Sequence, residues 1–194
     1  MDTGIEIRPF EENDAPEVRA LFITVNRMLS PPAIRDVFET YIARSLTEEM
    51  DRIVAYYREH GGGFWVAVRA GEVVGMFGLE TAAPDALELR RMSVAPSARR
   101  AGIARSMLLF AENECRRRQM RRLILSTSEL QQPALQLYRS AGYRLLSEGG
   151  AEIASNKTIG GGIHRYYFET TLMDGSQTVR GDPLKLDGRA GRGS

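Results

Sequence analysis

A glycine follows two arginines at the start of an amphipathic segment near the middle of the chain. Arg99 and Arg100 precede Gly102, and the apolar residues that follow recur at helical spacing. Glycine lets the backbone approach an anion, and a helix N-terminus presents free N–H groups and the positive end of its dipole. These residues predict a diphosphate site at 99–105, built from main-chain N–H groups and arginine charge.

Two other phosphate-binding motifs do not fit this loop. A P-loop ends in Gly-Lys-Ser/Thr, and the chain has no lysine from residue 1 to 156. A Rossmann loop requires three spaced glycines and an acidic residue about twenty positions later, and neither is present. A tight strand-to-helix turn without a ligand is the alternative interpretation.

A second motif lies about thirty residues after the loop. It reads Ala-Leu-Gln-Leu-Tyr-Arg-Ser-Ala-Gly-Tyr from Ala134 to Tyr143. With Arg99-x-x-Gly102-x-Ala104 before it, it resembles the GCN5-related N-acetyltransferase (GNAT) superfamily. The family's acetyl-CoA motif is Arg/Gln-x-x-Gly-x-Gly/Ala, and its later signature is Ala-x-x-Leu-Tyr-x-x-x-Gly-Phe/Tyr. The resemblance covers roughly residues 5–173.

Residues 41–79 and 128–132 also resemble the N-acetyltransferase 8 (Camello-like) branch of the superfamily. Members of that branch acetylate cysteine conjugates or protein lysines, and several are anchored in membranes. The apolar anchor that they carry near the second helix has no counterpart here, so we expect a soluble relative.

The resemblance implies an acetyl-CoA-dependent N-acetyltransferase that transfers the acetyl group directly to a primary amine of a small molecule, protein or peptide. Glu88 matches the catalytic glutamate of histone-modifying members, and Tyr138 matches a tyrosine that protonates the departing thiolate. For Glu88 the alternative is an ion pair with Arg90 or with a neighbouring strand. For Tyr138 it is core packing. A catalytically silent acyl-CoA-binding regulatory module is the alternative function.

The resemblance also implies how the donor is held. Residues 92–94 lie on a strand whose two faces should alternate, with Glu88, Arg90, Met92 and Val94 on one and Leu89, Arg91 and Ser93 on the other. The strand backbone there would pair with the pantetheine amides. Gln131 stands where the family often has Asn. The predicted cofactor-binding residues are Met92, Ser93, Val94, Arg99, Arg100, Ala101, Gly102, Ile103, Ala104, Arg105, Gln131 and Tyr138.

Composition limits the other function classes. With 194 residues and 43% hydrophobic content the chain can bury one core. A net charge of +1 argues against a general nucleic-acid or membrane-surface partner. Ten of the 26 basic residues lie between Glu88 and Arg122, against three acidic ones, which favours an anionic cofactor there. A solvated helix end is the alternative explanation for the five arginines within 116–122.

The single cysteine and the two histidines indicate no disulfide and no metal site. Cys115 shares the apolar stripe of the helix after Gly102, which predicts a core residue. His60 and His164 are far apart and lack ligand spacing, although His164 is a weaker candidate for the acceptor pocket. The N-terminus lacks a signal-peptide layout and apolar runs are short, so we expect a cytoplasmic protein. A homodimer is left open.

The periodicities predict an α/β (α+β) fold in the order β-α-α-β-β-β-α-β-α-β-β. This is the GNAT order, with a mixed central sheet of about six to seven strands and about four helices. The second helical region, 33–59, has a break signal at a capping box that begins at Ser45. We expect a single domain over residues 1–173 and a polar, disordered tail over 174–194.

Overall fold

A mixed seven-stranded sheet forms the centre of the computed structural model, which describes residues 4–153 and 155–172. Its spatial order is β1-β2-β3-β4-β5-β7-β6, and only β4 and β5 pair in parallel. The strands are β1 (Ile5–Pro9), β2 (Gly63–Arg69), β3 (Glu72–Ala83), β4 (Ala86–Val94), β5 (Arg122–Ser128), β6 (Arg144–Ala151) and β7 (Ile163–Thr171). The predicted fold class and the predicted order of the strands along the chain are confirmed.

Five α-helices cover the two faces of the sheet in the described ranges. They are α1 (Ala15–Leu29), α2 (Arg35–Ser45), α3 (Ile53–Glu59), α4 (Ile103–Arg117) and α5 (Gln132–Ser140). The predicted second helical region divides into α2 and α3, joined by a π-helical turn at Leu46–Met50. The predicted tail, 174–194, lies outside the described residues. Within the described part, no helix is both long enough and apolar enough to cross a membrane.

Each face of the sheet has its own hydrophobic core. Helices α1 to α3 pack on one face, and α4 and α5 on the other. The apolar stripe of α4 is buried as its spacing predicts, and it includes Cys115. Burial raises the pKa of the Cys115 thiol to about 12, so the thiol stays protonated at neutral pH.

Strands β4 and β5 separate at their carboxyl ends. Their pairing ends at Leu89 opposite Leu125, while β4 continues to Val94 and β5 to Ser128. The edge of β4 over residues 90–94 therefore has no hydrogen-bonded partner strand on the β5 side within the described residues. In open α/β sheets, ligands bind outside the carboxyl ends of such strands.

A bulge in β4 overturns the predicted alternation of its side chains. Arg90 pairs with Gly78 and Ser93 with Met76, so β4 has one more residue than β3 between these two pairs. Arg91 adopts a left-handed φ of 56°. A bulge shifts the residues after it to the opposite face.

Residues before and after the bulge therefore do not share a face as strict alternation predicts. Met92 and Val94 pack with α4 and α5, whereas Glu88 and Arg90 face α1 to α3. Predicting Glu88, Arg90, Met92 and Val94 on one face was wrong, as was grouping Leu89 with Arg91 and Ser93. Strict alternation assumes a regular ladder, which this strand does not have.

Replacing Gly78 by alanine tests the packing behind the bulge. An added Cβ would lie 2.3 Å from the Tyr57 hydroxyl oxygen, and that ring is fully buried. We expect Gly78→Ala to lower the free energy of unfolding by about 1–3 kcal/mol in urea denaturation, because the core would be overpacked. Gly149→Ala, whose Cβ would meet nothing within 4 Å, is the control. Equal stability of the two variants would contradict this packing.

Candidate active site

One buried carboxylate joins the bulge to the helical face. Glu49 belongs to the π-helical turn between α2 and α3 and is 0% exposed. Its oxygens accept hydrogen bonds from Arg90 Nη2 at 2.9 Å and from Arg91 Nε and Nη2 at 2.9 and 2.6 Å. The Tyr57 hydroxyl donates a further bond at 2.7 Å. Both consecutive arginines can reach Glu49 because the bulge turns them to the same face.

The charge state of Glu49 is set by its partners. Burial alone would raise the pKa of its carboxyl group, but the arginines and Tyr57 together lower it. Glu49 is therefore an anion at neutral pH. A non-glycine residue in the left-handed region costs about 1–2 kcal/mol, and the bonds from Arg91 to Glu49 offset that cost at the bulge.

A pair of glutamates lies beside this cluster and binds a primary ammonium. Glu80 of β3 and Glu88 of β4 are cross-strand neighbours. Lys157 Nζ donates to Glu88 Oε2 at 2.7 Å and also to Glu80. Burial would lower the pKa of Lys157, but the two carboxylates raise it. Glu80 also accepts a bond from Arg90 Nη1 at 2.8 Å, and its pKa is lowered despite burial.

The ion pair that the sequence offered as an alternative for Glu88 is wrong. Arg90 binds Glu49 and Glu80, and Glu88 instead binds Lys157. Lys157 follows Glu88 by 69 residues and lies in a loop without periodicity, so local spacing gave no signal for this contact.

A cleft that is partly open to solvent lies at the split between β4 and β5. Glu88 lines it on the face of α1 to α3, and Tyr138 reaches it from α5 on the opposite face. The Tyr138 ring packs 5.9 Å from that of Tyr143 and 6.1 Å from that of Phe168, centroid to centroid. Tyr138 therefore packs in the core and also lines the cleft. Its hydroxyl has no hydrogen-bond partner among residues 4–153 and 155–172, and burial raises its pKa.

The predicted phosphate loop has the geometry of an anion site. Gly102 is the N-cap of α4 with φ 78°, and Arg100 also has a positive φ of 62°. An added Cβ at Gly102 would meet no atom within 4 Å, so backbone conformation and open space, not crowding, account for the glycine. The Ser106 N–H bonds to the Gly102 carbonyl, which leaves the N–H groups of the first turn without intrahelical acceptors.

The other predicted donor-binding residues lie around this loop and the split. Met92, Ser93 and Gln131 line the cleft, whereas Arg99 and Arg105 are exposed beside the helix start. Gln131 Oε1 accepts bonds from the Thr127 hydroxyl at 3.0 Å and the Ser128 N–H at 3.4 Å, which occupies its oxygen locally. The remaining members of the predicted set are Val94 at the end of β4, Ala101 in the loop, and Ile103 and Ala104 in the first turn of α4.

His164 and the arginines at the end of α4 lie away from the cleft. His164 is on β7 beside Glu148 of β6, at 3.7 Å, and does not line the cleft. Arg117 and Arg118 bind Glu114 at the end of α4, as expected for a solvated helix end. No group of three or more His, Cys, Asp or Glu residues in the described ranges could hold a metal ion.

Comparisons with known proteins match this architecture. A sequence model of the acetyltransferase (GNAT) family matches residues 32–143. The chain is 34% identical to N-acetylaspartate synthetase of Danio rerio over 116 residues, which cover 59% of this chain and 41% of that protein. It is 32% identical to N-acetyltransferase 8 of Rattus norvegicus over 122 residues, covering 60% and 55%. The chain thus spans about half the length of the curated relatives it matches.

Solved structures share the fold at low sequence identity. A PaiA N-acetyltransferase from Thermoplasma acidophilum, in complex with coenzyme A, aligns with TM-score 0.68 and 17% identity, covering 86% of this chain and 98% of that one. Ribosomal-protein-alanine N-acetyltransferase from Brucella melitensis aligns with TM-score 0.66 and 22% identity, covering 86% and 99%.

Replacing Glu49 tests the buried cluster. Glu49→Gln leaves buried Arg91 without its carboxylate partner and buried Arg90 with Glu80 alone. We therefore expect the free energy of unfolding at pH 7 to fall by about 3–5 kcal/mol in urea denaturation. Glu48→Gln on the same turn is the control, because that side chain is 51% exposed, and we expect a loss below about 1 kcal/mol.

The effect of Glu49→Gln on stability should depend on pH. The folded pKa of Glu49 lies below its ordinary value of 4.5, so its stabilisation is present above pH 4.5 and is lost as the pH falls through the folded value. The difference in unfolding free energy between Glu49→Gln and the unchanged protein should therefore narrow below pH 4.5. A difference that is constant from neutral to acid pH would contradict an ionised Glu49.

Proposed function

Because the chain belongs to the acetyltransferase (GNAT) family, we propose that it transfers an acetyl group from acetyl-CoA directly to a primary amine. One observation carries the proposal. At the split between β4 and β5, two side chains reach one cleft from opposite faces of the sheet. One is the carboxylate of Glu88, which binds the primary ammonium of Lys157, and the other is the phenol of Tyr138. These are the two proton-transfer groups that acetyl transfer to an amine requires.

The donor site follows from the strand edge and the helix start. Acetyl-CoA supplies an activated thioester and an anionic diphosphate. The free edge of β4 over Met92 to Val94 offers backbone groups for the pantetheine amides, as an added strand would use them. Main-chain N–H groups around Gly102, with Arg99 and Arg100 nearby, suit the diphosphate. The open space at Gly102 supports this fit.

Glu88 is our candidate for the general base. An amine attacks only as the neutral form, so its ammonium must first lose a proton. In the structure Lys157 holds the position that an acceptor ammonium would take at Glu88. The acceptor would displace Lys157 from Glu88 and transfer its proton to that carboxylate, directly or through water.

Tyr138 is our candidate for the general acid. The departing thiolate needs a proton, and burial keeps the phenol protonated by raising its pKa. Cys115 is buried on α4 and its thiol pKa is about 12, so it is a poor nucleophile. This supports direct transfer within a ternary complex over a covalent acetyl-enzyme.

The acceptor is a small-molecule amine or the amino group of a protein or peptide. The names of N-acetylaspartate synthetase and N-acetyltransferase 8 support N-acetylation. The cleft adds chemistry of its own, since the Glu80–Glu88 pair is selective for cations such as a primary ammonium.

Release of CoA thiol from acetyl-CoA, measured against a panel of amines, tests the proposal. The panel holds amino acids, their carboxamides, polyamines and lysine peptides, each compared with a reaction without acceptor. We expect release above that control with at least one class. Binding of acetyl-CoA with no release on any amine would instead favour a catalytically silent acyl-CoA-binding module.

Replacing Tyr138 by phenylalanine tests the acid. We expect kcat to fall by about 100-fold or more with little change in acetyl-CoA affinity, because the thiolate would leave unprotonated. Tyr143→Phe is the matched control, since that buried phenol binds Glu112 and does not line the cleft. Equal effects of the two substitutions on kcat would remove Tyr138 from the mechanism.

Replacing Glu88 by glutamine tests the base. The acidic limb of the pH profile of kcat/KM reports the base of the free enzyme, so Glu88→Gln should flatten that limb and lower kcat/KM at neutral pH by about 100-fold. Glu6→Gln, an exposed carboxylate on the outer strand β1, is the control. An unchanged profile would exclude Glu88 as the base.

A further inference from the structure

Arg165 is a buried cation of the cleft whose hydrogen-bonding capacity is mostly unused. It lies on β7, is 8% exposed and lines the same cleft as Glu88 and Tyr138. Within residues 4–153 and 155–172, Nη2 alone has a hydrogen-bond partner, the Ser126 hydroxyl at 2.6 Å. Nε is shielded from solvent and has no partner among the described residues. A buried charge without a counter-ion is costly, so its retention points to a ligand.

The charges of the cleft leave Arg165 without a carboxylate. Arg90 and Arg91 bind Glu49, and Lys157 binds Glu80 and Glu88. Of the four cations that line the cleft, Arg165 alone has no carboxylate within 4.0 Å in the described ranges. The cleft therefore has one positive charge in excess, on the acceptor side of the sheet.

The strand register places this charge close to the proposed base. Glu88 is level with Ile124 of β5, and Arg165 is level with Ser128 but extends back to Ser126. Two residues along a strand and one strand spacing separate these groups by on the order of 8 Å. A hydrogen bond of about 2.8 Å at each end leaves about 2.4 Å for the molecule between them. A few covalent bonds span that distance.

We infer that the acceptor carries a carboxylate a few bonds from its amine, and that Arg165 binds this carboxylate while Glu88 receives the amine. The inference rests on the proposed function and names its substrate class, a small amino carboxylate. The planar guanidinium presents paired N–H donors that match the two oxygens of a carboxylate. Binding would give Arg165 a carboxylate counter-ion and use its free donors.

Paired substrates test the inference. Each of the twenty protein amino acids is compared with its carboxamide in the CoA-release assay, using the full chain and its Arg165→Met variant. For the acids that are acetylated, we expect Arg165→Met to lower the acid-to-amide ratio of kcat/KM by about tenfold or more, chiefly through KM. Comparing ratios between proteins cancels the intrinsic difference in amine basicity between an acid and its amide.

The control substitution and a stability measurement separate binding from a structural role. Arg144→Met removes an exposed arginine of the neighbouring strand β6, and this variant should keep the acid-to-amide ratio of kcat/KM of the unchanged protein. The urea midpoint of Arg165→Met should equal or exceed that of the unchanged protein, because the substitution removes an uncompensated buried charge. Loss of stability together with equal loss on acids and amides would assign Arg165 a structural role and overturn the inference.

The remaining outcomes distinguish this inference from the proposed function. Acetylation of amides or polyamines with a ratio that Arg165→Met leaves unchanged would overturn the carboxylate site and leave the acetyltransferase proposal standing. No CoA release with any amine would contradict the proposed function itself, and the carboxylate inference with it. A preference for amines that bear phosphate over those that bear carboxylate would assign Arg165 to a different anion.

Discussion

The buried ion cluster of Glu49 with Arg90 and Arg91 is the constraint on which the site depends. Two consecutive strand residues normally point to opposite faces, and here both bind one carboxylate. That is possible only with the left-handed bulge at Arg91. The bulge falls where β4 stops pairing with β5, so the cluster stabilises β4 in the position that keeps the cleft open.

The split divides the proposed chemistry between the two faces of the sheet. Tyr138 and the start of α4 belong to the core of α4 and α5, where the donor would bind. Glu88, Lys157 and Arg165 belong to the face of α1 to α3, where the acceptor would bind. Tyr138 is buried in the core of α4 and α5, and Glu88 lines the same cleft from the other face. Preorganisation of this kind lets binding energy orient the reactants.

Periodicity and motif were enough to predict the fold and the elements that carry Gly102 and Tyr138. The apolar stripe of α4, the glycine at its N-cap and the strand that precedes it are local features, each encoded within a few residues. The positions of Gly102 and Tyr138 followed from the motifs alone. The second helical region does divide near the predicted position, but the predicted capping box at Ser45 is wrong, because Ser45 ends α2 and its side chain makes no capping bond.

The acceptor side could not be predicted because its contacts are long-range. Glu49 meets Arg91 across 42 residues, and Lys157 meets Glu88 across 69. Nothing in the alternation of β4 marks Arg91 as a bulge, since the energy that favours it comes from a carboxylate on another element. Arg165 likewise has the sequence pattern of an ordinary strand arginine, and only the three-dimensional arrangement of the described residues shows that its Nε has no partner among them.

A crystal structure of the protein with CoA would show whether the donor enters the split between β4 and β5. We expect the pantetheine arm along the free edge of β4 at residues 92–94 and the diphosphate at the N–H groups around Gly102, with the sulfur close to the Tyr138 hydroxyl. We also expect the contacts of Glu49 with Arg90 and Arg91 to persist. CoA bound outside the split, or β4 and β5 paired to their carboxyl ends in the complex, would contradict these expectations.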